Sequence, residues 1–465
     1  THTHNMRYKV ICNFFAMVIL TRILLFDNGF KDVLKEINTL TLFLNSSAIA
    51  TKWIRQPLDH FNKSEARTWN MKYFQRLDKW KPNGPIYVHI SGEWKATKGF
   101  LQTGILYELA EETNGAMYLS EHRYYGDSKP FEDFTTQNLV YLSSRQALAD
   151  LAKLITKIKK NTLYTSSKVV VVGGSYAGNL AAWMKLLYPD LIDAAIASSG
   201  PVLAKEDYFE YIDTVSNDYE QYGTPKCYDE INDIFNGYEE KFKSISGIAE
   251  LKTEQQICED TDMKKSINKE LFFLDKISEF MSRAQYGTPE SIREHCDDIS
   301  NNSKIASSLD NETDFWNERK ECFDYEFDNM IEAIKTVDWY LAWTYQTCTE
   351  FGYFSITAPD NHPFTENVHI DFFYKICTDL FGTEFDGARV EDSVKKVNKL
   401  YGGKRPNVTH VVFVNGDLDP WHRLSVLEDI SYDAPAKIIP RVSHCKDLFS
   451  NTDSDPEELK EDTKW

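Results

Sequence analysis

The chain has 465 residues, of which 42% are hydrophobic and 14% aromatic, and its formal net charge is −19. This length and composition predict a substantial core in two domains, or in one domain with a large insertion, and exclude a disordered chain. The acidic balance, without a long basic block, argues against nucleic acid or an anionic membrane surface as a partner.

The N-terminal segment, residues 1–30, has the pattern of a signal peptide. Arg7 and Lys9 precede the short apolar run VICNFFAMVIL. Arg22 interrupts the apolar stretch, so an uncleaved anchor stays open as the alternative. Five Asn-x-Ser/Thr sequons fit passage through the secretory pathway: Asn45, Asn62, Asn301, Asn311 and Asn407. We expect a secreted or lysosomal/endosomal protein, with no membrane contact unless this segment is retained.

Strand-like and helix-like segments alternate through residues 51–203. GPIYVHI (84–90), KVVVV (168–172) and AAIASS (194–199) are apolar strand-like runs. Between them, SSRQALADLAKLITKI (143–158) begins with a capping box and carries one apolar face. This alternation predicts a mostly parallel sheet with helical crossovers.

The pattern changes after residue 203. Residues 204–340 are rich in charge and aromatics and have helical periodicity, whereas residues 341–465 contain strand-then-loop segments again. The simplest interpretation is one α/β domain interrupted by a largely helical insertion.

Seven cysteines follow the N-terminal segment: Cys227, Cys258, Cys296, Cys322, Cys348, Cys377 and Cys445. None forms a Cys-x-x-Cys pair, so no zinc or redox motif is expected. Four of them lie between residues 227 and 322, which is typical of a subdomain held by disulfides. Because their number is odd, at least one thiol should be free or bonded elsewhere.

GGSYA, at residues 173–177, has the form of a nucleophile elbow between a strand and a helix. Such a turn holds the serine, here Ser175, in strained geometry with its hydroxyl above the sheet. The amide of Tyr176 would then face the position where an oxyanion forms. A glycine-rich turn with serine as a helix cap is the alternative interpretation of this motif alone.

The order of later residues favours the nucleophile. A hydrolase of this kind needs an acid and then a histidine, each after a later strand. Asp417 and Asp419 follow VVFVNG, and His444 follows the next apolar run. His422 is too close in sequence to Asp419 to complete a triad from another loop. The sequence therefore predicts that His444 takes the proton of Ser175 while an aspartate fixes its tautomer.

The chain resembles the family of prolylcarboxypeptidase, dipeptidyl peptidase II and thymus-specific serine protease, most of all the last branch. The resemblance covers roughly residues 51–450 and rests on nine blocks: QPLDHF, GPIYVHISGE, EHRYYGDSKPF, YLSSRQALADLA, GGSYAGNLAAW, YPDLIDAAIASSGPV, YQTCTEFGYF, NGDLDPWH and SHCKDL. It implies an α/β-hydrolase fold with a mainly helical cap inserted after the nucleophile half. It also implies that Asp419, in the Asp-Pro-Trp motif, is the catalytic acid.

The resemblance also implies the surroundings of the nucleophile. Family members cleave beside proline or another small P1 residue at a peptide end, with Trp421 and Tyr176 near the pocket for that residue. The resemblance implies that the amides of Gly92 and Glu93, in the loop after IYVHI, are further oxyanion donors, although Ser91 stands where the family usually has glycine. Glu121 and Arg123 are expected to form a buried structural pair.

Two departures from the family bear on specificity. Cys445 replaces the second histidine of prolylcarboxypeptidase-like members, and it is the expected free thiol. Thr344 replaces the aspartate that holds a substrate ammonium in dipeptidyl members, and a hydroxyl cannot replace that charge-assisted bond. A carboxypeptidase-type enzyme is therefore favoured. The resemblance further implies a disulfide between Cys348 and Cys377.

The sequence thus predicts a serine exopeptidase that acts on peptides and needs no metal or cofactor. A dipeptidyl aminopeptidase of the same family and an esterase or lipase on the same fold are the alternatives. A catalytically silent binding protein is disfavoured by the intact triad residues. A homodimer stays open.

Overall fold

The computed structural model describes residues 48–302, 322–358 and 362–462. These residues form two compact units. The sheet unit comprises the described parts of Leu34–Lys205, Ala342–Gly352 and Val390–Trp465, and the helical unit comprises those of Glu206–Leu341 and Tyr353–Arg389. The sequence assigned residues 341–465 as a whole to the hydrolase domain, whereas Tyr353–Arg389 belong to the helical unit.

Ten strands occur in the described residues: β1 (Ile49–Pro57), β2 (Thr68–Arg76), β3 (Ile86–Ile90), β4 (Ala116–Ser120), β5 (Val169–Gly174), β6 (Ala194–Ser198), β7 (Lys205–Asp207), β8 (Gly352–Phe354), β9 (Val411–Gly416) and β10 (Ala436–Ile439). Eight of them form one sheet in the order β1-β2-β4-β3-β5-β6-β9-β10. β2 pairs antiparallel with β1 and β4, and all other pairs are parallel. This order is that of an α/β-hydrolase fold, as the resemblance implied.

The helices of the described residues are α1 (Ile105–Thr113), α2 (Thr136–Leu139), α3 (Ser144–Lys159), α4 (Tyr176–Leu187), α5 (Glu210–Tyr222), α6 (Cys227–Phe242), α7 (Ile245–Glu254), α8 (Ser266–Tyr286), α9 (Pro289–Asn302), α10 (Phe327–Lys335), α11 (Asp338–Gln346), α12 (Ile370–Phe381), α13 (Gly387–Tyr401) and α14 (Glu457–Asp462). The predicted cap of α3 forms, since the side chain of Ser143 accepts from the Gln146 amide at 3.2 Å. Among these helices, none is both long and apolar enough to cross a bilayer.

The centre of the sheet explains why its strands are apolar. β5 lies between β3 and β6, and Val169, Val171 and Val172 are fully buried. A parallel strand covered on both faces needs apolar side chains in both directions. The carboxyl end of β5 leads directly into α4, which brings the predicted nucleophile to the edge of the sheet.

The helical unit has an aromatic core and disulfide cross-links. Phe235 and Phe280 each pack against Phe364, with ring centroids 5.3 and 5.0 Å apart. Disulfides join Cys227 to Cys296 and Cys258 to Cys322. These bonds confirm that the cysteine-rich segment is held by disulfides, and Cys348 and Cys377 are disulfide-bonded as well.

Several sequence predictions fall at the margins of the described residues. The signal-like segment 1–30 lies outside the described ranges, as do Asn45 and Asn311. The sequons at Asn62, Asn301 and Asn407 are exposed, as a glycosylated asparagine must be.

Candidate active site

Ser175 occupies a sharp turn between β5 and α4. Its φ of 58° and ψ of −134° lie outside the regions that side-chain-bearing residues prefer, a strain of roughly 1–3 kcal/mol. The surrounding backbone maintains this geometry, since the Ser175 amide donates to the Ser198 carbonyl at 3.0 Å and the Ser175 carbonyl accepts from Gly178 at 2.8 Å. The turn is therefore determined by backbone bonds on both sides.

The two glycines before Ser175 leave no room for side chains. A Cβ on Gly173 would lie 2.0 Å from the Ala177 carbonyl oxygen, and one on Gly174 would lie 2.5 Å from Leu448 Cδ1. Real Cβ atoms do not approach other atoms so closely. The turn therefore requires glycine at position 173, where the obstructing atom belongs to the backbone, whereas a side chain at position 174 would displace the side chains of Leu448 and Cys445. This is the physical reason for the GGS sequence.

Asp419 lies in the loop that follows β9, and His444 lies in the loop that follows β10. His444 Nδ1 lies 2.7 Å from Asp419 Oδ2, and both residues are buried. A carboxylate accepts hydrogen bonds, so Nδ1 carries the proton and Nε2 is left to act as a base. The other oxygen of Asp419 accepts from the Trp421 amide at 3.0 Å, which fixes the carboxylate at the start of a short 3₁₀ helix, Pro420–Leu424.

The neighbours of His444 shift the pKa of its ring. Burial by itself would lower the pKa of His444, but the Asp419 carboxylate, with a smaller contribution from Cys445, raises that pKa well above its ordinary value. An imidazole so placed holds a proton firmly once it has taken it from a nucleophile.

The competing acid and histidine have other partners. Asp417 Oδ1 accepts from the Arg441 amide at 2.6 Å, so this carboxylate fixes the turn after β10. His422 Nδ1 lies 2.7 Å from the Asp419 carbonyl oxygen, and burial lowers the pKa of its ring. The geometry therefore favours Asp419 over Asp417 as the partner of His444.

The loop after β3 runs beside the start of α4. A Cβ on Gly92 would lie 3.5 Å from the Ala177 amide nitrogen and 3.7 Å from the Tyr176 ring, so Gly92 adjoins the predicted oxyanion position. The Glu93 amide instead bonds the carboxylate of its own side chain. Of the two amides nominated in this loop, that of Gly92 is the better candidate.

The Glu93 side chain has an unusual environment close enough to His444 to be affected by its charge. Burial raises the pKa of its carboxyl to about 7, although its own amide and the charge of His444 lower it in part. Glu93 as a whole is only partly buried, but its Oε2 is enclosed and has no hydrogen-bond partner among the described residues. This oxygen is an acceptor without a donor.

The residues predicted to bind substrate occupy different environments. Trp421 is partly buried in the 3₁₀ helix after Asp419. Thr344 is buried in α11, and its carbonyl oxygen accepts from the Thr347 hydroxyl at 2.8 Å. Cys445 has a free thiol, and its Sγ would lie 2.9 Å from a Cβ on Gly174. Cys445 thus borders the turn that holds Ser175.

The predicted pairing of Glu121 with Arg123 is wrong. Glu121 Oε1 lies 2.7 Å from Lys72 Nζ, and Arg123 binds Asp150 through Nε at 2.6 Å and Nη2 at 3.0 Å. Both pairs are buried, so these residues are structural, but their partners come from β2 and α3.

Sequence reasoning missed the residues that surround the Tyr176 side chain. Gln346 and His122 each lie 3.0 Å from the Tyr176 hydroxyl, and the Trp343 ring lies 5.6 Å from the Tyr176 ring. Gln346 and His122 belong to blocks that the sequence had singled out, YQTCTEFGYF and EHRYYG. Their presence in those blocks is the one feature of the sequence that could have indicated a role. The residues around Gln346 and His122 form no local pattern typical of a catalytic or binding site.

Comparisons with known proteins found similar sequences over most of this chain. Residues 56–464 match the family described as serine carboxypeptidase S28. The thymus-specific serine protease of Mus musculus is 31% identical over 430 residues, covering 88% of this chain and 84% of the relative. The lysosomal Pro-X carboxypeptidase of Homo sapiens is 28% identical over 434 residues, covering 87% of this chain and 84% of the relative.

Proposed function

Since the chain belongs to the serine carboxypeptidase S28 family of serine peptidases, we propose that it is an exopeptidase that cleaves near a chain end, after proline or a small residue. The observation that carries the proposal is the buried hydrogen bond of 2.7 Å between His444 and Asp419, in the same unit as the strained turn at Ser175. A bare glycine-rich turn would need no such pair.

The roles of the three residues follow from their chemistry. His444 Nε2 takes the proton of Ser175 as Oγ attacks the scissile carbonyl carbon, and Asp419 stabilises the imidazolium that forms. The amides of Tyr176 and Gly92 stabilise the oxyanion. His444 then gives its proton to the leaving amine, and water hydrolyses the acyl-enzyme by the same steps in reverse order.

A partly buried aromatic ring beside Tyr176 supports the preference for proline or a small residue. The Tyr176 ring lies 5.3 Å from Phe351 and 5.6 Å from Trp343, and Trp343 is only partly buried. Because Tyr176 and Phe351 are fully buried, Trp343 is the ring of the three that a substrate can reach. A pyrrolidine ring packs well against an indole face, whereas a charged side chain would lose hydration there without a partner. The resemblance also places Trp421 near the pocket that receives this substrate residue.

Cleavage at the carboxyl end is the favoured mode. The position that holds an ammonium in dipeptidyl members is Thr344, which is uncharged and buried. Without that acid, a free amino terminus loses its charge-assisted anchor. A terminal carboxylate can instead be met by backbone amides, while His444 stays neutral to accept the proton of Ser175.

One observation favours a second candidate, a dipeptidyl aminopeptidase. The partnerless Oε2 of Glu93 is an acceptor near His444, and an ionised carboxylate there would attract an ammonium. Cys445 cannot supply the positive charge that a terminal carboxylate would prefer. The two modes therefore differ in which peptide end is recognised.

The cysteine chemistry supports a location in the secretory pathway. The two disulfides of the helical unit need an oxidising compartment to form. The name of one relative, lysosomal Pro-X carboxypeptidase, agrees with a lysosomal destination for this chain. We propose a secreted or lysosomal peptidase.

The test uses one proline-containing peptide with each end blocked in turn and mass spectrometry of the products. Amidation of the carboxyl end should weaken cleavage strongly, and acetylation of the amino end should have little effect. The opposite result would establish the dipeptidyl mode. Turnover of a p-nitrophenyl ester with no cleavage of any peptide would contradict the exopeptidase proposal and indicate an esterase.

A further inference from the structure

A set of buried polar side chains surrounds the hydroxyl of Tyr176, the residue that follows the nucleophile. Gln346 Nε2 lies 3.0 Å from this hydroxyl, and His122 Nε2 lies 3.0 Å from it on another side. Gln346, His122 and Tyr176 are all buried in the sheet unit. Because a tyrosine hydroxyl can both donate and accept, it can bind both partners at once.

The hydrogen-bond directions at His122 are determined by its surroundings. His122 Nδ1 lies 2.7 Å from the Arg123 carbonyl oxygen, which only accepts, so Nδ1 carries a proton. Burial lowers the pKa of His122 to about 4, so the ring is neutral at pH 7 and Nε2 is an acceptor. The Tyr176 hydroxyl therefore donates to His122.

Gln346 must then donate to the Tyr176 oxygen. Its Nε2 also lies 3.1 Å from Glu350 Oε2, and its Oε1 accepts from the Tyr125 hydroxyl at 2.6 Å. The reversed amide would turn Oε1 towards the Glu350 carboxyl and lose the bond to Tyr176. Both amide protons and the carbonyl oxygen of Gln346 are thus used, and leucine or glutamate could not make the same bonds.

The backbone around Gln346 is specialised as well. Gln346 is the last residue of α11, and residues Thr347–Phe351 form one turn of π-helix. π-Helical turns are rare and are frequently found at functional sites. Within this turn Glu350 accepts from the Ser144 amide at 3.0 Å and from the Ser144 hydroxyl at 2.6 Å, which connects the turn to the start of α3.

We propose that Gln346 is a positioning residue for catalysis, which acts through Tyr176. The proposal rests on the proposed function, in which the Tyr176 amide stabilises the oxyanion. Tyr176 is the first residue of α4, so two hydrogen bonds to its hydroxyl restrict the side chain and, through it, the direction of the backbone N–H. Gln346 itself is fully buried, so in this proposal it acts through Tyr176 and does not bind the substrate.

The main test measures kcat and KM of Gln346→Leu and Tyr176→Phe with one peptide substrate. Each variant should lower kcat about 10-fold or more with little change in KM, because a small displacement of an oxyanion donor costs mainly transition-state binding. The rate at which a fluorophosphonate labels Ser175 should fall in parallel. The double variant should be no worse than the more damaging single variant, because both remove the same contact.

A matched pair of variants separates positioning from stability. Tyr125→Phe removes the hydroxyl that binds Gln346, and Tyr164→Phe removes a hydroxyl that lies 3.0 Å from that of Tyr118, outside this network. Both should lower the melting temperature, but only Tyr125→Phe should lower kcat. If Gln346→Leu fails to fold, the kcat values of this pair and of Tyr176→Phe still test whether the network around Gln346 positions Tyr176.

Three results would overturn the proposal: wild-type kcat in folded Gln346→Leu, an equal loss of kcat in Tyr164→Phe, or additive losses in the double variant. Failure of the proposed function would look different. In that case the wild-type protein would cleave no peptide, or Ser175→Ala would retain peptide turnover, whatever the outcome for Gln346.

Discussion

The turn at Ser175 and the loop at Gly92–Glu93 follow neighbouring parallel strands, β5 and β3, but their conformations have different origins. Backbone hydrogen bonds and glycine contacts determine the turn, and almost no alternative fits. The loop instead carries a carboxyl group whose Oε2 has no partner in the described residues. The comparison indicates that the turn is confined by backbone contacts, whereas the loop places a side chain whose bonding capacity the described residues leave unused.

The largest effect is expected at the pair that activates the nucleophile. His444→Ala and Asp419→Asn should each lower kcat by several orders of magnitude, because members of a triad act as a unit. Circular dichroism should show that both variants are folded. Asp417→Asn is the matched control, since Asp417 binds the Arg441 amide, and kcat within a few-fold of wild type is expected there. A loss in Asp417→Asn that equals the loss in Asp419→Asn would contradict the assignment.

The next largest effect tests the rigidity of the turn. Gly173→Ala would place a Cβ 2.0 Å from the Ala177 carbonyl oxygen, so we expect destabilisation of roughly 1–3 kcal/mol or more, together with loss of activity. Gly237→Ala is the control, because a Cβ there meets nothing within 4 Å and alanine favours the helix by about 1 kcal/mol. Chemical denaturation of both variants measures the difference. A Gly173→Ala protein as stable and active as wild type would show that the turn is not so confined.

A smaller effect, on the pH dependence of folding stability, is expected from the Glu93 carboxyl in the loop after β3. Burial raises the pKa of Glu93 from 4.5 to about 7, so the folded protein holds this proton more tightly than the unfolded chain. Folding stability should therefore fall as the pH rises from about 4.5 through 7, and Glu93→Gln should remove that part of the decline.

Denaturant midpoints of wild type, Glu93→Gln and Glu132→Gln at pH 5 and pH 8 measure this contribution. Glu132 is exposed, so its variant controls for the change in net charge. Asp447, whose pKa is raised to about 6 by burial, contributes to the decline with the same sign in all three proteins. Equal declines in wild type and Glu93→Gln would mean that Glu93 titrates normally.

The smallest effect concerns the thiol beside the turn. Alkylation without reduction should label Cys445 and leave Cys348 and Cys377 unlabelled. Cys445→Ser should keep kcat within a few-fold of wild type, because the backbone of this residue, which donates to Ser199 Oγ at 2.9 Å, is unchanged. Recovery of alkylated Cys348 would contradict the disulfide assignment.

The fold and the triad candidates could be predicted because their signals are local or follow chain order. The apolar run before GGS, the glycines that the turn requires, and the order of Asp419 and His444 are all present in the linear sequence. The α/β-hydrolase fold followed from the resemblance and from the alternation of strands and helices.

The contacts between distant segments could not be predicted. Gln346 reaches Tyr176 across 170 residues, and no local periodicity indicates that meeting. Glu121 and Arg123 are close in sequence, but their charges are paired by Lys72 and Asp150, because a buried charge binds whichever opposite charge the fold brings near. The segment Tyr353–Arg389 belongs to the helical unit because its aromatic residues pack against residues far away in the sequence. Phe372, for example, contacts Phe327, with ring centroids 5.5 Å apart.

The central claim, that Ser175 is the nucleophile activated by His444, is tested most directly by covalent labelling. The purified protein is treated with a fluorophosphonate and digested, and the modified peptide is identified by mass spectrometry. We predict a single adduct on Ser175 that appears together with the loss of peptide turnover and forms far more slowly in His444→Ala. An adduct on another serine, or full turnover after complete modification of Ser175, would contradict the account.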